Sequence, residues 1–180
     1  NKILSDINLS FVPNKIYCFV GKTGCGKSTL IDIILGLYEP KKGRVLINNK
    51  IELNKTNSAS YFDKLAFVPQ ENFLLNDSIK NNIILTDDIN DEFDQKKYQE
   101  IISSLLLEDL NEKFDPSQKN KITVGDRGAR ISGGEIQRIG IARALYKDRD
   151  ILTLDESTSS LDLNTESKIF DKLNKIKLNK

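Results

Sequence analysis

Short apolar runs alternate with polar, glycine-marked turns along this chain, and the spacing of the apolar positions separates strands from helices. Ile3, Ile7, Leu9 and Phe11 alternate loosely, as in an edge strand, and Pro13-Asn14-Lys15 marks a turn. Ile16 to Val20 is a β-rich run that predicts a short buried strand. Gly21 to Gly26 follows as a glycine-rich loop. Lys27 to Leu37 then carries Leu30, Ile31, Ile33, Ile34 and Leu37 on a helical stripe, closed by Gly36 and Pro40. Gly43 to Ile47 predicts another strand with Asn48-Asn49 as its turn, and residues 49–60 read as polar loop. Leu65 to Val68 predicts a strand stopped by Pro69, and Asp77 is placed to N-cap a helix from Ser78 to Ile84.

Asp91 to Asp109 reads as one helix with Ile101, Ile102, Leu105 and Leu106 on one face, and residues 111–121 as a polar linker. Ser132 to Tyr146 predicts a strong helix, Ile151 to Leu154 a buried strand, and Asn164 to Ile176 an amphipathic helix. Strand and helix alternate at both ends, around a mostly helical stretch from about 72 to 145. The expected fold class is an α/β core with an inserted helical subdomain.

Composition narrows the chemistry. A chain of 180 residues allows one domain, or a small core with a subdomain. Its 27 Lys+Arg against 26 Asp+Glu leave a net charge of +1, which gives no electrostatic footprint for DNA or RNA. No nucleic-acid partner is expected. No apolar stretch reaches the ~18 residues of a membrane helix, and no apolar signal-peptide core opens the chain. Two cysteines, Cys18 and Cys25, make no disulfide framework and point to a reducing compartment. The absence of His removes the commonest neutral-pH acid/base, every His-based triad and every His-ligated metal site. Any catalysis must rest on carboxylates, Lys, backbone dipoles or a borrowed metal ion. The absence of Met, with Asn1 first, suggests an excised domain, a processed chain or a sequence fragment.

Gly21-Lys22-Thr23-Gly24-Cys25-Gly26-Lys27-Ser28 fits the phosphate-loop pattern G-x-x-x-x-G-K-[ST]. Its small residues let backbone N–H groups curl around a β-phosphate, at the positive end of the following helix. Lys27 reaches β- and γ-oxygens, and Ser28 is placed to ligate Mg²⁺. The motif alone does not choose among kinases, GTPases, helicases and transport ATPases. Cys25 lies beside Lys22 and Lys27 near a helix start, surroundings that favour a thiolate; a plain small-residue slot accounts for it too.

Ile151-Leu152-Thr153-Leu154-Asp155-Glu156 is a strand ending in two acids. Asp155 is placed to hold Mg²⁺ through its water shell, and Glu156 to orient or deprotonate an attacking water. Ile131-Ser132-Gly133-Gly134-Glu135-Ile136-Gln137-Arg138 opens with the capping-box pattern Ser132-x-x-Glu135. Two glycines in a first helical turn cost stability, so their benefit is access: open N–H groups at a dipole end. A second anion-binding turn beside one phosphate loop suggests a nucleotide shared with another subunit.

With these segments the sequence resembles the ATP-binding cassette family. ISGGEIQR is similar to that family's signature, usually L-S-G-G-Q, with Ile131 and Glu135 as departures. Ser159-Ser160-Leu161-Asp162 resembles its D-loop, and Gln70 after Val68-Pro69 its Q-loop. Thr123-Val124-Gly125-Asp126-Arg127-Gly128 resembles the T-x-V-G-E-x-G loop of exporter-type cassettes, and Asn76 to Ile83 the segment G-T-I-x-x-N-I of the same class.

The resemblance implies a P-loop NTPase, RecA-like core at about 1–71 and 147–180, an antiparallel β subdomain, and a helical subdomain at about 72–146. It implies ATP and Mg²⁺ as cofactors. The ATP contacts would be Gly21, Thr23, Gly24, Cys25, Gly26, Lys27, Ser28 and Thr29, with Ser28, Gln70 and Asp155 at the metal. Lys27, Gln70 and Glu156 would carry catalysis. Ser132, Gly133, Gly134 and Glu135 would meet ATP bound by a second nucleotide-binding domain in a head-to-tail dimer, with Asp162 communicating between the two sites. Transmembrane domains, in the same full-length chain, would be the other partner, placing the domain at the cytoplasmic face of the cell membrane. The function implied is ATP hydrolysis driving export or lipid flipping. The alternative is a cassette ATPase of DNA repair or translation, which usually shows a coiled-coil insertion, a tandem cassette or basic arms.

Two family elements fall outside the chain: the aromatic that stacks on adenine, before residue 1, and the strand and switch His expected after Lys180. The expectation is a domain truncated at both ends, with a gap in the centre of its sheet and weak or no ATP hydrolysis by these residues alone.

Overall fold

The computed structural model describes residues 3–85, 93–114, 123–155 and 162–177. The chain forms two compact units, Asn1–Leu65 with Lys177–Lys180, and Ala66–Ile176.

In the first unit, α1 (Lys27–Ile34) follows the glycine loop, and its C-cap residue Leu35 is buried. Gly36 ends the helix at φ 76°, a left-handed conformation that glycine adopts without Cβ strain. Strands β1 (Leu46–Ile47) and β2 (Ile51–Glu52) pair antiparallel, Ile47 opposite Ile51 and Leu46 opposite Glu52. Asn48 and Asn49 turn the hairpin at φ 52° and 57°, a region Asn tolerates better than most side chains. Helix α2 (Ser58–Phe62) follows, and the Tyr61 hydroxyl donates to the Ile34 carbonyl at 3.0 Å, satisfying one orphan acceptor of α1. β2 and α2 lie in the stretch that reads as polar loop. Their polar composition hides them, because each is short and the buried Tyr61 anchors α2.

The strands expected over Ile3–Val12 and Ile16–Val20 are absent. Ile16 is 53% and Val20 91% exposed, so the second run is not a buried strand in this structure. A strand needs a ladder neighbour, and no described residue supplies one. The turn at Pro13-Asn14 does form, with Asn14 at φ 60°. Around it Phe11 meets Tyr17 edge-on at 4.9 Å, and the Val12 N–H donates to the Tyr17 hydroxyl.

The second unit is built on α6 (Gly133–Lys147), which packs against α3 (Ile79–Ile84) and α4 (Gln95–Ser104). Its core includes Val68, Ile79, Ile83, Leu105, Ile139 and Ile141. Strands β3 (Leu65–Val68) and β4 (Ile151–Leu154) are hydrogen-bonded neighbours, and α7 (Leu163–Lys177) closes the described chain. β4 is less buried than its sequence predicts, with Ile151 and Leu152 each 37% exposed. Among the described residues β3 is its sole ladder neighbour.

Two helix boundaries differ from expectation. The single helix expected from Asp91 to Asp109 is α4 and α5 (Glu108–Lys113), broken where Leu106 takes φ 55°. Leu105 and Leu107 are both buried, at 1% and 0% exposure. On one helix two such residues would sit about 200° apart, so the break lets both face the core and turns Leu106 outward. For α3 the N-cap is Ser78, whose Oγ accepts the Asn81 N–H at 3.1 Å. Asp77 stands one residue earlier, and its carboxylate accepts the Ser78 N–H at 2.6 Å.

Candidate nucleotide site

The phosphate loop belongs to the first unit. Gly24 and Gly26 take φ 78° and 99°, and the Cys25 N–H closes a turn on the Lys22 carbonyl at 3.2 Å. A Cβ on Gly26 would stand 3.0 Å from both Ile3 Cγ2 and Leu4 Cδ2, and one on Gly21 would stand 2.7 Å from Cys25 Sγ. Gly26 needs glycine on both contact and conformation, Gly24 on conformation and Gly21 on contact. Gly26 caps α1 without a side-chain bond, so the first N–H groups of Lys27, Ser28 and Thr29 have no intrahelical acceptor. An anion there would meet open donors and the positive helix end. The Lys27 ammonium donates to the carbonyls of Gly21 and Lys22 at 2.9 and 3.3 Å, folded over the loop.

In the second unit the ends of β3 and β4 meet. The Asp155 N–H donates to the Val68 carbonyl at 3.0 Å, which places Asp155 beside the Val68-Pro69-Gln70 exit. The structure therefore brings the Gln70 and Asp155 segments together. Among the described residues no group of three or more His, Cys, Asp or Glu forms a metal cluster. Within the second unit, the Gln70 amide and the Asp155 carboxylate are hard oxygen donors, the kind that Mg²⁺ takes together with phosphate and water. Glu156 lies outside the described residues, as do Ser159, Ser160 and Leu161.

Ser132 caps α6 in a full capping box. Its Oγ accepts the Glu135 N–H at 3.3 Å, while Glu135 Oε2 accepts the Ser132 N–H and hydroxyl, each at 2.7 Å. Gly133 and Gly134 form the first turn, where N–H groups have no intrahelical partner. Burial alone would raise the Glu135 carboxyl; the Ser132 hydrogen bonds, with Arg138 and Lys113 nearby, outweigh it and hold the group below its ordinary value. Asp162 is the cap of α7: its carboxylate accepts the Thr165 N–H at 3.0 Å, and that bond draws its pKa down.

The loop Thr123–Gly128 is fastened to the turn before α3. The Val124 N–H donates to the Asp77 carbonyl at 3.1 Å, and the Thr123 hydroxyl donates to the Asn76 side-chain oxygen. Gly125 at φ 81° and Gly128 at φ 76° shape it, leaving Asp126 exposed. The two exporter-like segments thus form one joined surface.

Two residues organise this region: Asn82, which lies in the segment that resembles G-T-I-x-x-N-I, and Arg143, which sequence reasoning did not single out. Asn82 is fully buried, accepts the Leu75 N–H at 2.8 Å, and donates to the Leu75 and Ser78 carbonyls at 3.0 and 2.9 Å. Arg143 donates from Nε to the Asn82 carbonyl at 2.9 Å and from Nη2 to the Phe73 carbonyl at 3.0 Å. Its one signal in the sequence is a long charged side chain within the small, apolar run Gly140-Ile141-Ala142-Arg143-Ala144.

An α/β chain with a phosphate loop and a second strand ending at Asp155 defines the class: a P-loop NTPase. Comparison with known proteins makes the assignment specific. The profile of the ABC transporter family matches residues 4–159, and the chain belongs to that family. A Rickettsia typhi protein named as an export ATP-binding/permease protein is 38% identical over 97% of this chain and 29% of its own length. The beta-(1→2)glucan export ATP-binding/permease protein NdvA of Rhizobium etli is 34% identical, over 98% of this chain and 29% of its own. The structure of a bacterial Atm1-family ABC exporter with ATP bound matches at a TM-score of 0.74 and 31% identity, over 87% of this chain and 26% of that one. The chain thus spans less than a third of the relatives it matches. No helix among the described residues is long and apolar enough to cross a membrane.

Proposed function

We propose that this chain is the ATP-binding and ATP-hydrolysing part of an exporter-type ABC transporter, coupling ATP + water → ADP + phosphate to transport across a membrane. The observation that carries the proposal is the pair of glycine-opened helix starts, one at Gly26 before α1 and one at Ser132 before α6. One supplies the phosphate loop, and the other offers a second anion-binding turn to nucleotide held by a partner domain. The export proteins among its relatives support the direction of transport.

In this reading Gly21, Thr23, Gly24, Cys25, Gly26 and Thr29 cradle the ATP phosphates, and Lys27 neutralises developing charge on the γ-phosphoryl group. Ser28, Gln70 and Asp155 hold Mg²⁺, which supplies Lewis-acid charge stabilisation when bound. Glu156 orients the attacking water and accepts its proton. Ser132, Gly133, Gly134 and Glu135 engage ATP on a second nucleotide-binding domain, head to tail, and Asp162 links the two sites. The division into a core at about 1–71 and 147–180 and a helical subdomain at about 72–146 belongs to the same proposal. The transmembrane domains belong to the same full-length protein, with this domain on the cytoplasmic face, and the Gln70 and Asp126 loops face them.

The test is a trapping experiment on the full-length protein. Glu156→Gln should accumulate a Mg·ATP-bound closed dimer of nucleotide-binding domains, read by cross-linking across the Ser132 turn. Rapid turnover by that variant without trapped ATP would remove Glu156 from its role.

A further inference from the structure

We infer that Arg143 is a positioning residue that fastens the loop after Gln70 to the signature helix, so that nucleotide engaged at the Ser132 end of α6 is felt at Phe73. The inference rests on the reading that Ser132 meets nucleotide; the tie itself is read from contacts within the second unit.

Arg143 spans two carbonyls that sit nine residues apart in sequence, at Phe73 in the loop and Asn82 in α3. A planar guanidinium suits such a fork, with two donors in fixed relative orientation. Lysine has one ammonium on a flexible stem and cannot reproduce it. One turn earlier on α6, Gly140 faces the Asn72 side chain, where a Cβ would collide with its amide. On the far side, Asn82 holds both the N–H and the carbonyl of Leu75.

The loop is therefore tied at Phe73 and Leu75, with the Asn72 side chain packed close on Gly140. Its outward side chains would not hold it: Phe73 is 60% and Leu75 44% exposed. Leu74, between them, is fully buried, so one apolar anchor and the backbone ties together set its shape. From Ser132 to Arg143 the helix runs about 16 Å, at 1.5 Å per residue. An uninterrupted helix moves as one element, so a displacement of the Ser132 end carries Arg143 and the loop with it.

The experiment is hydrogen exchange of the loop segment 71–77 in the full-length protein, with and without Mg·ATP, in a Glu156→Gln background. The parent should show slower exchange across the loop when Mg·ATP is added. Arg143→Gln should exchange about tenfold faster without nucleotide and lose the Mg·ATP response, with half-saturation by ATP within about twofold of the parent. Arg143→Lys should behave like Arg143→Gln, because charge without the fork does not make the tie. Where Arg143→Gln does not fold, Gly140→Ala carries the same test by pushing the Asn72 amide off α6. A responsive parent with an equally responsive variant overturns the role of Arg143 alone. A parent with no Mg·ATP response removes the nucleotide reading and this inference with it.

Discussion

The Lys27 ammonium sits 2.9 Å from the Gly21 carbonyl, so the lysine is folded over the loop whose ligand it is proposed to hold. Phosphate binding exchanges neutral acceptors for charged oxygens, which form stronger bonds. Lys27→Ala should weaken ATP binding roughly 30-fold, the equivalent of about 2 kcal/mol for a bond to a charged group. Both existing bonds lie at the surface, so thermal stability should barely change. ATP titration by calorimetry checks the first point and a melting curve the second; unchanged affinity would take Lys27 out of the site.

Cys18 and Cys25 are both free and exposed, and Cys25 alone lies in the phosphate loop. A maleimide should label both in the absence of nucleotide, and Mg·ATP should protect Cys25. Labelling of Cys25 should in turn block ATP binding. Mass spectrometry of the two peptides reads the outcome, and labelling of Cys25 with binding intact would show that the loop does not enclose phosphate.

Asn82 makes three hydrogen bonds from a fully buried amide. Asn82→Ala leaves the Leu75 N–H without its partner and removes a second donor from the Leu75 and Ser78 carbonyls at a fully buried site, and should cost about 3 kcal/mol in urea unfolding. Ser78→Ala removes the α3 cap alone and should cost about 1 kcal/mol. Equal, small losses at both sites would contradict the difference drawn between a buried network and an ordinary cap.

The folded-state pKa of Glu135 lies below its ordinary 4.5: burial opposes the shift, but Ser132, Arg138 and Lys113 prevail. A depressed carboxylate contributes stability that is complete above the ordinary value and is lost as pH falls through the folded one. The melting temperature of the wild type should exceed that of Glu135→Gln near neutral pH, and the gap should narrow as pH falls below the ordinary 4.5. A gap that stays constant would show that the carboxylate charge contributes nothing to the cap.

The legible parts of this chain are those fixed by local chemistry. The capping box at Ser132 and Glu135, the helix it starts, the turn at Asn48-Asn49 and strands β3 and β4 all follow from residue types a few positions apart. The parts that failed depend on neighbours. Ile16 to Val20 has the composition of a core strand, but composition does not supply a ladder partner. The break at Leu106 is set by two leucines competing for one core, and the sequence shows just an apolar run. In the site, Asp155 reads directly from its strand. Asn82 falls in the segment that resembles G-T-I-x-x-N-I, but its bonds to Leu75 and Ser78 do not follow from that pattern; Arg143 acts on main-chain carbonyls 61 and 70 residues away, for which sequence carries no motif.

Phosphate release by the full-length protein with Mg·ATP tests the central claim most directly. The account predicts steady turnover that falls at least about 100-fold in both Lys27→Ala and Glu156→Gln, with ATP retained by Glu156→Gln alone. Turnover by Glu156→Gln equal to the wild type, or none by the wild type, would contradict it.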